Sequence, residues 1–171
     1  IIVGAPNVGK SSLFNLLSRD ERVLVSETAG TTRDAVNTVI TWRKRKLRLV
    51  DTAGIRRPGQ VTESGRLESA SVTIARRAMK NADIAVVLVD ASKGINKRDA
   101  AIAGEAESAG CGIVLAANKW DLVKGYEEGF PKRFDQEVRD GLKFAEYAPI
   151  VHLSALTGHR VPKLLEIVEQ I

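Results

Sequence analysis

Two kinds of apolar spacing alternate along this chain. Short continuous runs, Ile1–Gly4, Ile84–Asp90, Gly112–Ala117 and Ile150–Leu153, are separated by stretches in which apolar residues recur every three or four positions. The runs predict buried strands, and the stretches predict amphipathic helices over Ser11–Ser18, Ala70–Asn81, Arg98–Ala109, Lys132–Ala145 and Val161–Ile171. Two further strands are expected over Asn37–Trp42 and Lys46–Asp51. Only Arg43-Lys44-Arg45 separates them, which demands an antiparallel hairpin, whereas the other connections hold helices and suit right-handed parallel crossovers. The expectation is one α/β domain over residues 1–171, with a six-stranded, mostly parallel sheet, one antiparallel strand and helices on both faces. Arg19–Val36 and Gly54–Ser69 fit neither spacing, and unpatterned connections of that length in a compact domain usually serve function.

Composition narrows the classes. Hydrophobic residues at 44% and charged residues at 27% of 171 allow a substantial core and exclude a disordered chain. The longest apolar run, Ile84–Val89, is far too short to cross a bilayer and no signal-peptide pattern is present, so no membrane partner is expected. One cysteine, Cys111, rules out an internal disulfide framework and fits a reducing, cytoplasmic setting. The chain starts inside an apparent strand without Met, which reads as a piece of a longer protein.

The net charge of +5 is uneven: 11 basic residues face 5 acidic ones through Gln60, and 15 face 16 beyond it. Arg43-Lys44-Arg45-Lys46, Arg48 and Arg56-Arg57 hold much of the excess. Such a cluster supplies salt-dependent attraction to RNA phosphate, or it is a solvated hairpin tip.

The chemistry lies at the strand ends. Gly4-Ala5-Pro6-Asn7-Val8-Gly9-Lys10-Ser11 fits G-x-x-x-x-G-K-[ST] between a strand and a helix, the context that makes this motif a phosphate-binding loop. Glycines let the backbone approach anionic oxygens, and the N–H groups from Val8 and Gly9 through Lys10, Ser11 and Ser12 supply fixed positive potential. Lys10 is expected to reach the β- and γ-phosphates, and the Ser11 hydroxyl to ligate Mg²⁺. Asp51-Thr52-Ala53-Gly54 ends a strand as D-x-x-G, with Asp51 serving Mg²⁺ through its water shell and the Gly54 N–H approaching the γ-phosphate. Asn118-Lys119-Trp120-Asp121 ends another strand. A carboxylate at Asp121 accepts two hydrogen bonds from guanine, whereas adenine would leave it unpaired, which disfavours ATP. Ser154-Ala155-Leu156 follows the last strand, where its amides can meet a base oxygen. Between the first two motifs, Gly30-Thr31-Thr32-Arg33-Asp34 holds the hydroxyl needed for a loop that senses the γ-phosphate through Mg²⁺.

Together these residues, with Ala29, with Ile55-Arg56-Arg57, and with Tyr147-Ala148-Pro149-Ile150-Val151 leading to Thr157-Gly158, resemble the Der (also called EngA) family of ribosome-biogenesis GTPases. Within it, the match is to the second GTPase domain of this Era- and TrmE-like branch, over essentially the whole chain. The resemblance implies a Ras-like P-loop GTPase fold and a GTP-hydrolysing switch in assembly of the large ribosomal subunit. Implied partners are GTP and GDP, the ribosomal subunit or its RNA, and other domains of the same chain. The resemblance makes Thr32 the Mg²⁺-ligating switch threonine. It also matches Asn7 to the asparagine that, in potassium-dependent relatives, helps hold K⁺ beside the phosphates. Lys10, Thr32 and Gly54 are the catalytic candidates.

Ile55 departs from the Ras-type pattern, which has a water-orienting glutamine there; an isoleucine cannot orient water, so slow intrinsic hydrolysis is expected. Two alternatives stand beside this reading. One is a nucleotide-gated docking module with negligible hydrolysis in isolation. The other is the G domain of a tRNA-modifying GTPase, which shares the G-T-T-R-D loop. His152 is expected to be strand packing, His159 a surface loop residue, and Trp120 a cover for the base-binding loop.

Overall fold

The computed structural model describes residues 1–19, 24–26, 36–51, 75–123 and 128–171. Among the described residues, seven strands form one sheet in the order β2-β3-β4-β1-β5-β6-β7. They are β1 (Ile2–Gly4), β2 (Leu24–Ser26), β3 (Val36–Trp42), β4 (Arg45–Asp51), β5 (Ile84–Asp90), β6 (Gly112–Asn118) and β7 (Ile150–His152). From β4 to β7 every neighbouring pair is parallel, while β2–β3 and β3–β4 are antiparallel. The sheet thus has one strand more than the expected six. The addition is β2, three residues inside the unpatterned Arg19–Val36 stretch, which is too short to show a period and is defined by its pairing along β3.

Helix α1 is Lys10–Arg19, residues 75–79 are helical (α2), and α3, α4 and α5 are Lys97–Ser108, Phe130–Gly141 and Val161–Gln170. The helix expected over Lys132–Ala145 is interrupted. At Leu142 the backbone leaves helical geometry (φ −127°, ψ 49°), and a 3-10 turn, Lys143–Ala145, follows. Among the described residues no helix is long and apolar enough to cross a membrane.

The continuous apolar runs are explained by burial on both faces of the sheet. Val86 and Leu88 of β5, with Val114 and Ala116 of β6, pack with Leu13 and Leu17 of α1 and Leu164 and Leu165 of α5. The alternate residues Ala85, Val87, Val89, Ile113, Leu115 and Ala117 point the other way, into a second layer with α3 and α4. Strands covered on both sides need apolar side chains at every position. Because β1, β5, β6 and β7 run parallel, their carboxyl ends share one edge, the edge at which open α/β sheets bind ligands.

Candidate functional site

The phosphate-loop motif follows β1 directly, and its backbone is the first thing the sequence shapes there. Gly4 has φ +149° and Gly9 φ +103°. A Cβ on Gly4 would lie 2.5 Å from the Leu88 carbonyl oxygen, and one on Gly9 would lie 2.2 Å from the Asn118 side-chain nitrogen. Both positions therefore need a residue without a side chain, for conformation and for space. Asn7 also takes positive φ, 64°, which asparagine tolerates better than most residues. Lys10, the first residue of α1, bends its ammonium back to donate to the carbonyls of Gly4 (2.9 Å) and Ala5 (2.8 Å), closing the loop from end to start. Ser11 and Ser12 are exposed in the first turn of α1.

Asn118 joins this loop to the rest of the edge. It is 2% exposed; its Nδ2 donates to the Val8 carbonyl (2.7 Å), and its Oδ1 accepts from the Ala155 N–H (2.8 Å). The Asn118 amide thus joins the phosphate loop, the end of β6 and the turn after β7. Sequence reasoning placed Asn118 among the nucleotide contacts and missed this tie.

The turn that follows is fixed in the same way. Lys119 has φ +64°, and Trp120 donates its backbone N–H to the Leu153 carbonyl (3.1 Å) at the end of β7. Trp120 stacks face to face on His152 (ring centroids 3.9 Å apart, 5° between planes), with Phe134 of α4 edge-on at 5.6 Å. His152 Nε2 lies 2.6 Å from Asp135 Oδ1. His152 is accordingly packed as expected, and it also supports the Trp120 ring beside the expected base reader.

Asp121 lies in the 3-10 turn Trp120–Val123, and its Oδ1 is buried with no hydrogen-bond partner among the described residues. An orphaned buried acceptor in this position is the feature that a pair of N–H donors from a guanine edge would satisfy. Of the three amides expected to meet a base oxygen, Ser154 donates to the His159 carbonyl (3.1 Å) and Ala155 to Asn118. The Leu156 amide has no protein acceptor among the described residues, and its side chain is 81% exposed at the rim. The fully buried Ser154 hydroxyl accepts from the Thr157 N–H, so it shapes the turn.

For Mg²⁺, Ser11 offers an exposed hydroxyl, and Asp51 is the last residue of β4, in register with Ile2 just before the phosphate loop. A hydroxyl and a carboxylate are the hard oxygen donors this ion prefers. The side chain of Asp51, and Ala29 through Asp34, Thr52, Ala53, Gly54, Ile55, Arg56 and Arg57, lie outside the described residues. The expectations placed on Thr32 and Gly54 lie there with them.

A family model described as "50S ribosome-binding GTPase" matches residues 1–119. The chain belongs to the 50S ribosome-binding GTPase family. Among members similar to it are GTPase Der of Lachnoclostridium phytofermentans, 45% identical over 170 residues, and GTPase Der of Fusobacterium nucleatum, 46% identical over 170 residues. Each alignment covers 99% of this chain and 38% of the relative, so the chain spans well under half the length of these relatives. The resemblance to Der read from the motifs is borne out along almost the whole chain.

The fold of the chain also superposes on that of Era, solved in complex with MgGDPNP and nucleotides 1506–1542 of 16S ribosomal RNA. The TM-score is 0.74 at 29% identity, over 99% of this chain and 54% of that one. Elongation factor SelB of Methanococcus maripaludis, solved with the GTP analogue GppNHp, shares the fold at TM-score 0.70 and 19% identity, over 99% of this chain and 32% of that one.

Proposed function

We propose that the chain binds GTP and hydrolyses it to GDP and phosphate, acting as a nucleotide-gated switch in assembly of the large ribosomal subunit within the cytoplasm. The observation that carries this reading is the Asn118 amide bonded at once to Val8 and Ala155, which fastens phosphate loop and base turn together at the carboxyl edge of the sheet. Family membership supports the reaction, and similarity to GTPase Der supports the ribosomal setting. The RNA in the Era complex supports a ribosomal RNA partner.

In this reading the amides of Val8 through Ser12 receive the phosphate oxygens, and the Lys10 ammonium swings from the Gly4 and Ala5 carbonyls onto the β- and γ-phosphates. The Gly4 and Ala5 carbonyls are neutral acceptors, and a charged phosphate outcompetes them. Asp121 accepts the guanine N–H pair, and the Leu156 amide takes the base oxygen. Ser11, Thr32 and Asp51 would hold Mg²⁺, which when bound neutralises charge on the β- and γ-phosphate oxygens. Asn7 would hold K⁺, a second source of positive charge near the phosphates. Ile55 has no group to orient the attacking water, so intrinsic turnover is slow. Thr32 and Gly54 make the state of the γ-phosphate readable to a partner.

Base selection gives a direct test. Asp121→Asn replaces an acceptor by a donor where guanine has its exocyclic amine, whereas xanthine has a carbonyl there. The variant is expected to prefer XDP over GDP by at least about tenfold in competition binding; a wild type that prefers ATP to GTP would overturn the reading. Hydrolysis is tested separately by single-turnover assays. Slow cleavage, faster in K⁺ than in Na⁺, is expected. Equal rates in the two salts would remove K⁺ from the mechanism, and no cleavage in either, with GTP tightly bound, would favour a docking module.

A further inference from the structure

Asp90 is a buried carboxylate that none of the guanine-nucleotide motifs includes. It is the last residue of β5 and stands in register with Asn118 at the end of β6. Its Oδ1 accepts from the Ser92 N–H (3.1 Å) and hydroxyl (2.6 Å), and its Oδ2 accepts from the Lys119 ammonium at 2.7 Å. The next residue, Ala91, donates its N–H to the Asn118 carbonyl (2.9 Å). Asp90-Ala91-Ser92 therefore grips Asn118-Lys119 twice, through main chain and through side chain.

The Asp90 side chain is 7% exposed and the Lys119 side chain 29%. Burial works to raise the Asp90 pKa, but hydrogen bonds from Lys119 and Ser92 and the lysine charge outweigh it, so the group stays below its ordinary value and ionised. A buried ion pair is a poor source of net stability, because desolvation offsets most of the attraction. Its gain here is geometric. Lys119 lies between Asn118, which holds the phosphate loop, and Asp121, the base acceptor. A free lysine samples many rotamers; one tied at its ammonium presents its four-carbon stem in a fixed place.

We propose that Asp90, seated by Ser92, is a positioning residue for nucleotide retention: it anchors the Lys119 ammonium so that the lysine stem forms a fixed wall of the pocket. The inference rests on the reading of this pocket as a guanine-nucleotide site. Ser92 and Asp90 then act through Lys119 alone, which makes their effects non-additive with its loss.

The test is the release rate of fluorescent mant-GDP from wild type, Asp90→Asn, Lys119→Met and the double variant, with thermal unfolding of each nucleotide-free protein alongside. Asp90→Asn keeps the shape and removes the charge; Lys119→Met keeps the stem and removes the ammonium. Each single change is expected to speed release about tenfold, the loss of one charge-assisted hydrogen bond, and the double variant no further than Lys119→Met. Release from Asp90→Asn at the wild-type rate, or rates that multiply in the double variant, would overturn the proposal. Ser92→Ala guards against misfolding of Asp90→Asn: it should speed release more modestly, and only while Lys119 is present. Wild type that binds no GDP would instead sink the proposed function, whereas wild type that binds while the pair acts additively would sink only this inference.

Discussion

Both ends of the Asn118 amide are bonded to protein, to Val8 110 positions earlier and to Ala155 37 positions later. A residue in a base-recognition motif thereby becomes the pin of the pocket, and Gly9 leaves the space it fills. Replacing it strands a buried carbonyl and a buried N–H, each of which costs about 1–3 kcal/mol when unmatched. Asn118→Ala is expected to lower stability by about 2 kcal/mol or more, by urea unfolding of the nucleotide-free protein, and to weaken GDP and GTP alike. A stability loss with unchanged nucleotide affinity would restrict the tie to folding. The motifs made Asp121 and Lys10 legible from residue type and spacing, because their chemistry is local. The Asn118 tie and the Asp90–Lys119 pair were not legible, since their partners meet only once β1, β5, β6 and β7 are laid side by side.

Elements were readable in proportion to their burial. The strands β5 and β6, covered on both faces, show themselves as unbroken apolar runs, and their expected ranges match those observed to within one residue. The hairpin between β3 and β4 was readable only in outline. It turns through two residues, Arg43 and Lys44, both at positive φ (45° and 72°), where Asn-Gly would have given a clear signal. The end of α4 at Leu142 is set by packing: Leu142 is 1% exposed in the same layer as Phe134 and Val138. That layer bears on the site, since Phe134 is 2% exposed and backs the Trp120–His152 stack. Phe134→Ala is expected to cost about 3–5 kcal/mol in chemical denaturation, and to accelerate nucleotide release by loosening the turn that carries Asp121. Release at the wild-type rate would show that the turn holds its shape without the α4 ring.

Across the whole molecule, the basic hairpin tip is not a free patch of charge. Arg43 pairs with Glu166 (2.7 Å) and Arg45 with Glu169 (3.3 Å), both glutamates belonging to α5, at the end of the chain. The arginines are more than half exposed, so these pairs contribute little to stability. Their effect is to mask positive charge. If the tip faces RNA, converting Glu166 and Glu169 to Gln together should leave the unfolding midpoint nearly unchanged and steepen the salt dependence of ribosomal RNA binding, by about one unit in the log–log slope per arginine released. A slope equal to wild type would assign the tip to solvent. The charge asymmetry was visible in the sequence; its partial cancellation was not, because the acidic partners lie more than 120 positions away.

The bond from Ala155 to Asn118 also gives the pocket its own gauge. Its N–H points at an acceptor that is itself 2% exposed, so its proton can leave only when the pin lets go. In an NMR spectrum that one amide resonance would report, by its shift and by its lifetime in heavy water, whether phosphate loop and base turn are still fastened together.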